Sequence, residues 1–445
     1  MFYSIFKKIF DLKRLSKPAF FSRFSSVRSS SSSSSSAFTL VELLVVIAII
    51  GVLTTVSVVY FNSSRVAARD AKRLADIKQI QIALKLYYQD YGEYPQTVTP
   101  GGAIASGSKN YLLRVPSNPT PRNDGDCPDE DYQYQVMEGG QRYSLNFCLS
   151  SKVADLKYPG IKVGTTNGIL DCKPGYMGIV GSTALDTNDF CVMKYEAKCL
   201  DESGEPVVAE YGTGYDDDVD GDCINNGGAI TSAPLGEPII SLDLNKARYY
   251  CELDGSRLIS NPEWMTIARD AQSNGLNEEG ARKYMPRGNF HSQAVLNAEN
   301  EYVFTNEFDG NNFFDRRTLK LLSGGSIWDL AGNVAELADS TCVSGTGAGQ
   351  YPVVGPSYWS TVLADPNYAY AVEASGPTWL DGYDSSMGNS GWFTSGCSST
   401  GNIFIRGGDS FNGTDGHDGY VGIYYLDLEN NSSYKGKYLG FRCVH

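Results

Sequence analysis

The sequence predicts an α+β chain. One long N-terminal membrane-spanning helix leads into a small β-sheet, and then into a larger, Gly-rich, irregular α+β region. Three observations predict this. The run AFTLVELLVVIAIIGVLTTVSVVYF, residues 37–61, carries a single charge, Glu42. Behind it, apolar residues recur at spacings of three and four, the mark of a helix with one apolar face. The 445-residue chain is also rich in glycine and tyrosine, 47 and 29 residues, which favours strands and loops over a helical bundle.

Charge and cysteine usage narrow the function classes. The formal net charge is −14, and residues 1–37 hold seven Lys/Arg against one Asp. Residues 38–445 carry 30 basic and 50 acidic residues, a net of −20. Such a surface repels nucleic acid, which is bound chiefly by neutralising phosphates, and suits divalent cations instead. Ten cysteines all lie after residue 120, with no C-x-x-C pair. That pattern points to disulfides in an oxidising exterior rather than to zinc. With only His291, His417 and His445, a His-rich metal centre has too few ligands.

Taken in order, residues 1–37 read as a basic leader with Lys7, Lys8, Lys13, Arg14, Lys17, Arg23 and Arg28, then eight serines, Ser29–Ser36. A serine run cannot build a core, so a leader and a disordered tail both fit. The apolar segment 38–61 as a helix roughly spans a bilayer core of ~30 Å. The basic residues before it keep that side cytoplasmic and send the rest outward. It exceeds the ~7–15-residue apolar core of a secretory signal. Glu42 inside it costs roughly 2.5–3.5 kcal/mol on insertion and needs a partner. A cut between Ala37 and Phe38 makes Glu42 the fifth residue, within reach of a neighbouring subunit's new N-terminal amine.

Beyond Phe61 the helix is expected to continue, with Leu74, Ile77, Ile80, Leu84, Tyr87, Tyr88 and Tyr91 on one face. Arg69, Asp70, Lys72, Arg73, Asp76, Lys78 and Lys85 are expected on the other, and Gly92 and Pro95 end it. Two strand-like stretches, 132–137 and 143–149, flank the loop MEGGQR and suggest a hairpin. Cys127 and Cys148, alone in this part, are expected to pair. The unit 38–151 closes near Ser151, residues 152–171 read as a linker or a first strand, and a second domain runs over 172–445.

Four stretches carry the signal of that domain: FCVMKYEAKC (190–199), a strand-like run; KARYYCELDGSRLISNPEWMTIARD (246–270), two helices about a Gly turn, the second capped near Ser260 or Asn261 with Pro262 in its first turn; SIWDLAGNVAELADS (326–340); and FIRGGDSFNG (404–413), with GFRCV closing the chain.

A-FTLVELLVVIAIIG resembles the N-terminal motif of type IV prepilins and type II secretion pseudopilins. The resemblance implies a prepilin peptidase that cuts before Phe38 and methylates it, with Ala37 where the family usually has Gly. The DYGEYP segment, 90–95, resembles the helix exit of the major-pseudopilin group, and the unit 38–151 is thereby expected to be pilin-like. The four later stretches, by order and spacing, resemble the formylglycine-generating-enzyme (sulfatase-modifying factor) family, a Gly-rich fold related to C-type lectins. That resemblance implies structural roles for Arg257, Leu258, Glu263 and Trp264. It implies a calcium site from Asp329, Gly332, Val334 and Glu336 around Asn333, a mixed oxygen shell of the kind calcium favours. Ala335 and Leu337 replace the family's tryptophans.

Catalysis in that family needs a cysteine pair after Arg-Gly-Gly to hold copper as thiolates. The segment from Arg406 to Phe441 has no cysteine; Asn412 and His417 stand where the pair would be, and Cys443 reads as structural. The expectation is therefore no enzyme, no copper, and a binding role. Separately, Asp216, Asp218, Asp220 and Asp222 fit D-x-D-x-D-G, a second candidate calcium loop beside Cys223; Gly227 at position twelve rules out a complete EF-hand. Tyr358, Trp359, Trp379, Tyr383 and Trp392 offer aromatic faces to a glycan or protein ligand, or fill a core.

Together these lead to a minor pilin or pseudopilin-like surface filament subunit displaying a non-catalytic, adhesin-like domain. The alternatives are a type II secretion component and a membrane-tethered formylglycine-generating oxidase. Expected partners are other pilins, the prepilin peptidase, the inner membrane and an unknown surface ligand. The chain would be single-pass in the inner membrane before assembly, with its C-terminal domain extracytoplasmic, and in a surface filament after processing.

Overall fold

The computed structural model describes residues 39–201, 203–205, 223, 228–236, 238–277, 288, 302–305, 313–341, 393–394, 401–408, 421–427, 430–436 and 438–445. The chain divides into two compact units, Met1–Phe61 and Asn62–His445. In the first, the described residues are helical from Leu40, and Leu40, Val41, Leu43, Leu44, Ile47, Ile50, Leu53 and Phe61 are all exposed. They belong to helix α1, Leu40–Tyr91, which is long and apolar enough to cross a membrane.

In the second unit, Leu74 of α1 is buried, and Ile77, Ile80, Ala83 and Leu84 form one core with Tyr94, Ile104, Val115, Tyr132, Tyr143, Leu145, Phe147 and Leu149. Tyr87 and Tyr88 are half-buried and Tyr91 is exposed. The expected outer face needs correction, because Asp70, Arg73 and Asp76 are buried. The Arg73 guanidinium meets Asp70 Oδ1 at 2.7 Å and Asp124 Oδ2 at 2.9 Å, and Asp70 Oδ2 accepts from the hydroxyls of Ser150 and Ser151. A charge spaced like a surface residue goes inside when the loop covering it carries its counter-charge. The helix ends where Gly92 takes φ +72° and its N–H reaches the Tyr88 carbonyl at 2.8 Å.

Strands β1 (Ile104–Ser106) and β2 (Lys109–Leu112) form a hairpin. β3 (Gln133–Met137) and β4 (Arg142–Leu149) form another, with Met137 opposite Arg142 and Gln133 opposite Asn146. A disulfide joins Cys127 to Cys148. Residues 152–171 are not a free linker. They contain β5 (Gly160–Gly164) and β6 (Ile169–Leu170), which extend the sheet in the order β3-β4-β5-β6. The cause is burial: Val163 faces the interior, and Lys162 is buried against Asp171 at 2.6 Å. Residues 62–171 make up the proximal lobe, and 172–445 the distal region.

The distal region is built of short strands. β7 (Tyr176–Ile179) pairs with β8 (Phe190–Met193), and β9 (Lys198–Leu200) with β10 (Ala229–Thr231). The run 190–199, expected as one strand, is thus two, broken where Glu196 turns into the interior. Helix α2 (Leu244–Leu253) starts at Asp243, whose carboxylate accepts from Lys246 N at 2.9 Å. β11 (Arg257–Leu258) leads to helix α3 (Asn261–Ser273), capped by Ser260 with Pro262 in its first turn. Next come the hairpins β12–β13 (Tyr302–Thr305, Phe313–Arg316) and β14–β15 (Thr318–Lys320, Ser326–Trp328).

After β16 (Ala335–Thr341) come β17 (Phe393–Thr394), β18 (Ile403–Gly408), β19 (Val421–Asp427), β20 (Leu439–Phe441) and β21 (Cys443–Val444). They form a five-stranded sheet, β17-β19-β18-β16-β20, and a four-stranded sheet, β11-β21-β8-β7. One core gathers around the fully buried Trp264, whose Nε1–H donates to the Ile423 carbonyl at 3.1 Å. A second gathers around Phe441 and the Cys251–Cys443 disulfide, and further disulfides join Cys172 to Cys191 and Cys199 to Cys223.

Candidate functional site

Two places concentrate functional side chains: the start of α1, and a buried ionic cluster in the distal region. Ala37 and Phe38, the expected cut, lie outside the described residues. Glu42 is described. Its Oε2 accepts from the backbone N–H of Thr39 at 3.0 Å and the Thr39 hydroxyl at 2.9 Å, and its own N–H donates to Thr39 Oγ1 at 3.3 Å. Thr39 and Glu42 thus form a capping box, legible in the sequence as T-x-x-E before an apolar run. In the single chain this reciprocal cap is what the Glu42 carboxylate holds.

The distal cluster is formed where the turn between β15 and β16 meets the end of the chain. Asp329 and Asn333 hold φ of +52° and +65°, and Gly332 between them +71°. This left-handed turn is fixed by a hydrogen bond from Gly332 N to the Gly407 carbonyl at 3.0 Å. The turn delivers Asp329 to Arg317, which grips both carboxylate oxygens at 2.7 and 2.6 Å. β16 delivers Glu336 to Arg442 at 2.7 Å, and neither side chain is exposed at all. Arg442 also donates to the carbonyls of Met193 and Trp328, both at 2.9 Å. Glu196 accepts from Asn333 Nδ2 at 2.6 Å and Val334 N at 3.2 Å. Burial first, then the nearby charges of Asp329 and Glu336, push its carboxyl well above the usual range. Burial also raises Glu336, against the pull of Arg442.

This geometry bears on the expected calcium ligands Asp329, Gly332, Val334 and Glu336. The structure brings them into one turn, as the motif spacing implies. Both carboxylates, however, are already neutralised by guanidinium groups. The donor set therefore does not fit a divalent cation as it stands, and among the described residues no group of three or more His, Cys, Asp or Glu is arranged to hold a metal. Both arginines lie outside the motif: Arg442 comes 106 residues after Glu336, and Arg317 sits 12 residues before Asp329, at the other foot of the β14–β15 hairpin. Spacing within the motif could not reveal them. Glu196, concealed in what reads as an alternating strand, also escapes a sequence reading.

The other positions are distributed as follows. Arg257 pairs with Glu263, while Leu258 and Trp264 are buried, so this set positions α3. The loop carboxylates Asp216, Asp218, Asp220 and Asp222 lie outside the described residues, as do Asn412, His417, Tyr358, Trp359, Trp379, Tyr383 and Trp392.

Known proteins are similar to this chain over a limited part. Residues 32–58 match the family model described as the prokaryotic N-terminal methylation motif, a type IV pilin-like feature. No curated protein matches the chain. Among solved structures, the Major Tropism Determinant I1 Variant aligns at 10% identity and a TM-score of 0.26. The alignment covers 68% of this chain and 62% of that one, and it is too weak to assign a fold.

The methylation motif supports a pilin- or pseudopilin-type surface subunit. It implies processing by a prepilin peptidase and assembly with other pilins. With a single N-terminal apolar helix among the described residues, it fits membrane anchoring before assembly.

Proposed function

We propose that the chain is a minor pilin or pseudopilin-like filament subunit that displays a non-catalytic, adhesin-like distal domain at the cell surface. The observation that carries this is continuity. Of the residues matching the methylation motif, those from Leu40 on belong to helix α1, and the later part of that helix packs on a four-stranded sheet. In this reading Glu42 exchanges the Thr39 hydrogen bonds for the N-terminal amine of a neighbouring copy. The 90–95 segment supports the pseudopilin variant of the same reading.

The distal region is proposed to bind rather than catalyse. Asp329 and Glu336 are each paired with an arginine, and no copper-holding cysteine pair comes after Arg406 in the sequence. The proposal relates it to the sulfatase-modifying, C-type-lectin-like class and gives it a glycan or protein ligand. Calcium is proposed only for the 216–222 loop, because a cation at Asp329 and Glu336 would have to displace Arg317 and Arg442.

N-terminal sequencing by mass spectrometry of the surface protein tests the assembly part. N-methylated Phe38 is expected, and an intact leader overturns it. A glycan and peptide array with the processed protein tests the binding part. Copper bound stoichiometrically, with oxidation of a cysteine peptide, would replace the binding role with the oxidase.

A further inference from the structure

Glu138 has an unusual backbone conformation. It sits in the β3–β4 turn with φ +46°, a left-handed conformation that glycine or asparagine adopts with far less strain, and the next two residues are glycines at +63° and +93°. A strained carboxylate in such a place calls for a reason. Its contacts supply one. Glu138 Oε1 accepts from the Ser182 hydroxyl at 2.6 Å and from Thr183 N at 3.1 Å, and Oε2 accepts from the Thr183 hydroxyl at 2.9 Å. Residues 182 and 183 belong to the distal region.

The exchange is reciprocal. Asp189, in the distal segment between β7 and β8, points back at the proximal lobe. Its Oδ1 accepts from Arg142 Nη1 at 2.9 Å, and its Oδ2 from the Thr165 hydroxyl at 2.6 Å and Asn167 Nδ2 at 2.9 Å. Arg142 also reaches Glu138 at 3.7 Å, so one guanidinium lies between one carboxylate from each side. Arg142 and Asp189 are nearly enclosed, at 12% and 7% side-chain exposure. The surrounding contact is tight. A Cβ on Gly178 of β7 would meet Val163 and Leu170 of the proximal sheet at 3.0 Å, and the Ser144 hydroxyl of β4 donates to the Leu322 carbonyl at 2.8 Å. A flexible tether between two independent domains needs none of this.

We propose that Glu138, Arg142 and Asp189 form a polar bolt that locks the proximal sheet and the distal region into one rigid body. The bolt holds the distal region at a fixed angle on the helical lobe, and a pull on either is carried across it in shear rather than taken up by a hinge. The inference goes beyond the filament reading and holds whether or not Phe38 is processed.

Distance measurement on the full chain in detergent tests it, with genetically encoded spin labels at the exposed positions Leu113 and Leu276. A narrow distance distribution is expected for the parent. For Glu138→Ala combined with Asp189→Ala, a distribution at least about twofold broader is expected. Glu138→Gly guards against a folding defect, because glycine relieves the left-handed strain while the side chain that carries the carboxylate is removed. It should keep the far-UV circular dichroism of the parent and still broaden the distribution. A merely local turn role predicts that Glu138→Gly is neutral or stabilising and equally narrow. A parent already broad, or a Glu138→Gly variant as narrow as the parent, overturns the bolt.

Discussion

The proximal lobe and the distal region both bury arginine against carboxylate, but they reach that state by different routes. In the proximal lobe Arg73 meets Asp70 three residues away on the same helix, and a covering loop adds Asp124. In the distal region Arg442 meets Glu336 across 106 residues. The proximal lobe is ordered by a helical period with local partners. The distal region adds to its short-range pairs, Arg257 with Glu263 and Arg317 with Asp329, one pair that exists only once the chain has closed on itself. Its stability should therefore be lost when one distant contact is removed, whereas the proximal lobe should fail more locally.

The largest effect tests this directly. The Cys251–Cys443 disulfide closes a sequence separation of 192 residues, and its removal by paired serine substitution should cost the distal region about 5 kcal/mol on chain-entropy grounds. Calorimetry should show the distal transition moving down while the proximal one stays. A proximal transition shifted equally would break the contrast and favour a single cooperative unit, as the bolt would require if it also couples unfolding.

Next is Arg442→Ala, which leaves Glu336 buried and uncompensated at a cost of about 4 kcal/mol. Replacing both by apolar residues, Glu336→Leu with Arg442→Met, should recover most of that in the same thermal scan. The proximal counterpart, Arg73→Ala, should cost about 3 kcal/mol and leave the distal transition unmoved.

A pH effect comes third. Asp270 is enclosed and accepts from Leu322 N, Ser323 N and the Ser323 hydroxyl, and burial pushes its carboxyl up to about 6. The folded state thus holds the proton more tightly than the unfolded chain does. Its stabilising contribution is complete below about pH 4 and is lost as pH rises through 6, roughly 2–3 kcal/mol in all. Asp270→Asn should flatten the distal stability profile between pH 4 and 7; an unchanged slope would rule Asp270 out as its source. The smallest effect is Ser260→Ala at the start of α3. It removes the hydroxyl that donates to Glu263 at 2.7 Å and should cost about 1 kcal/mol in denaturant unfolding.

Legibility in the sequence divides along the same line. The buried row Leu74, Ile77, Ile80 and Leu84, the stop at Gly92 and the hairpin around MEGGQR are readable because helix and hairpin are set by neighbours in sequence. Asp70, Arg73 and Asp76 are not readable as buried residues, because their partners Asn118, Asp124 and Tyr132 come from a loop without a period. The 152–171 segment reads as a linker or a first strand, because strands of five and two residues give too short an alternation to settle which. In the distal region the order of the motifs is legible, and so is the turn that carries Asp329 to Glu336. What occupies that turn is not.

The sequence by itself determined the N-terminal features: an apolar helix with Glu42 as its one charge, a methylation-type motif, and a capping box at Thr39. All three depend on residues within a few turns of one another. Only the tertiary structure decided that arginines neutralise the carboxylates read as calcium ligands, and that Glu138 and Asp189 exchange contacts across two regions. Apart from the Arg317–Asp329 pair, whose members flank one hairpin, those outcomes rest on groups brought together from far along the chain. A buried carboxylate takes whichever cation the folded chain places beside it, and no local spacing encodes which one that will be.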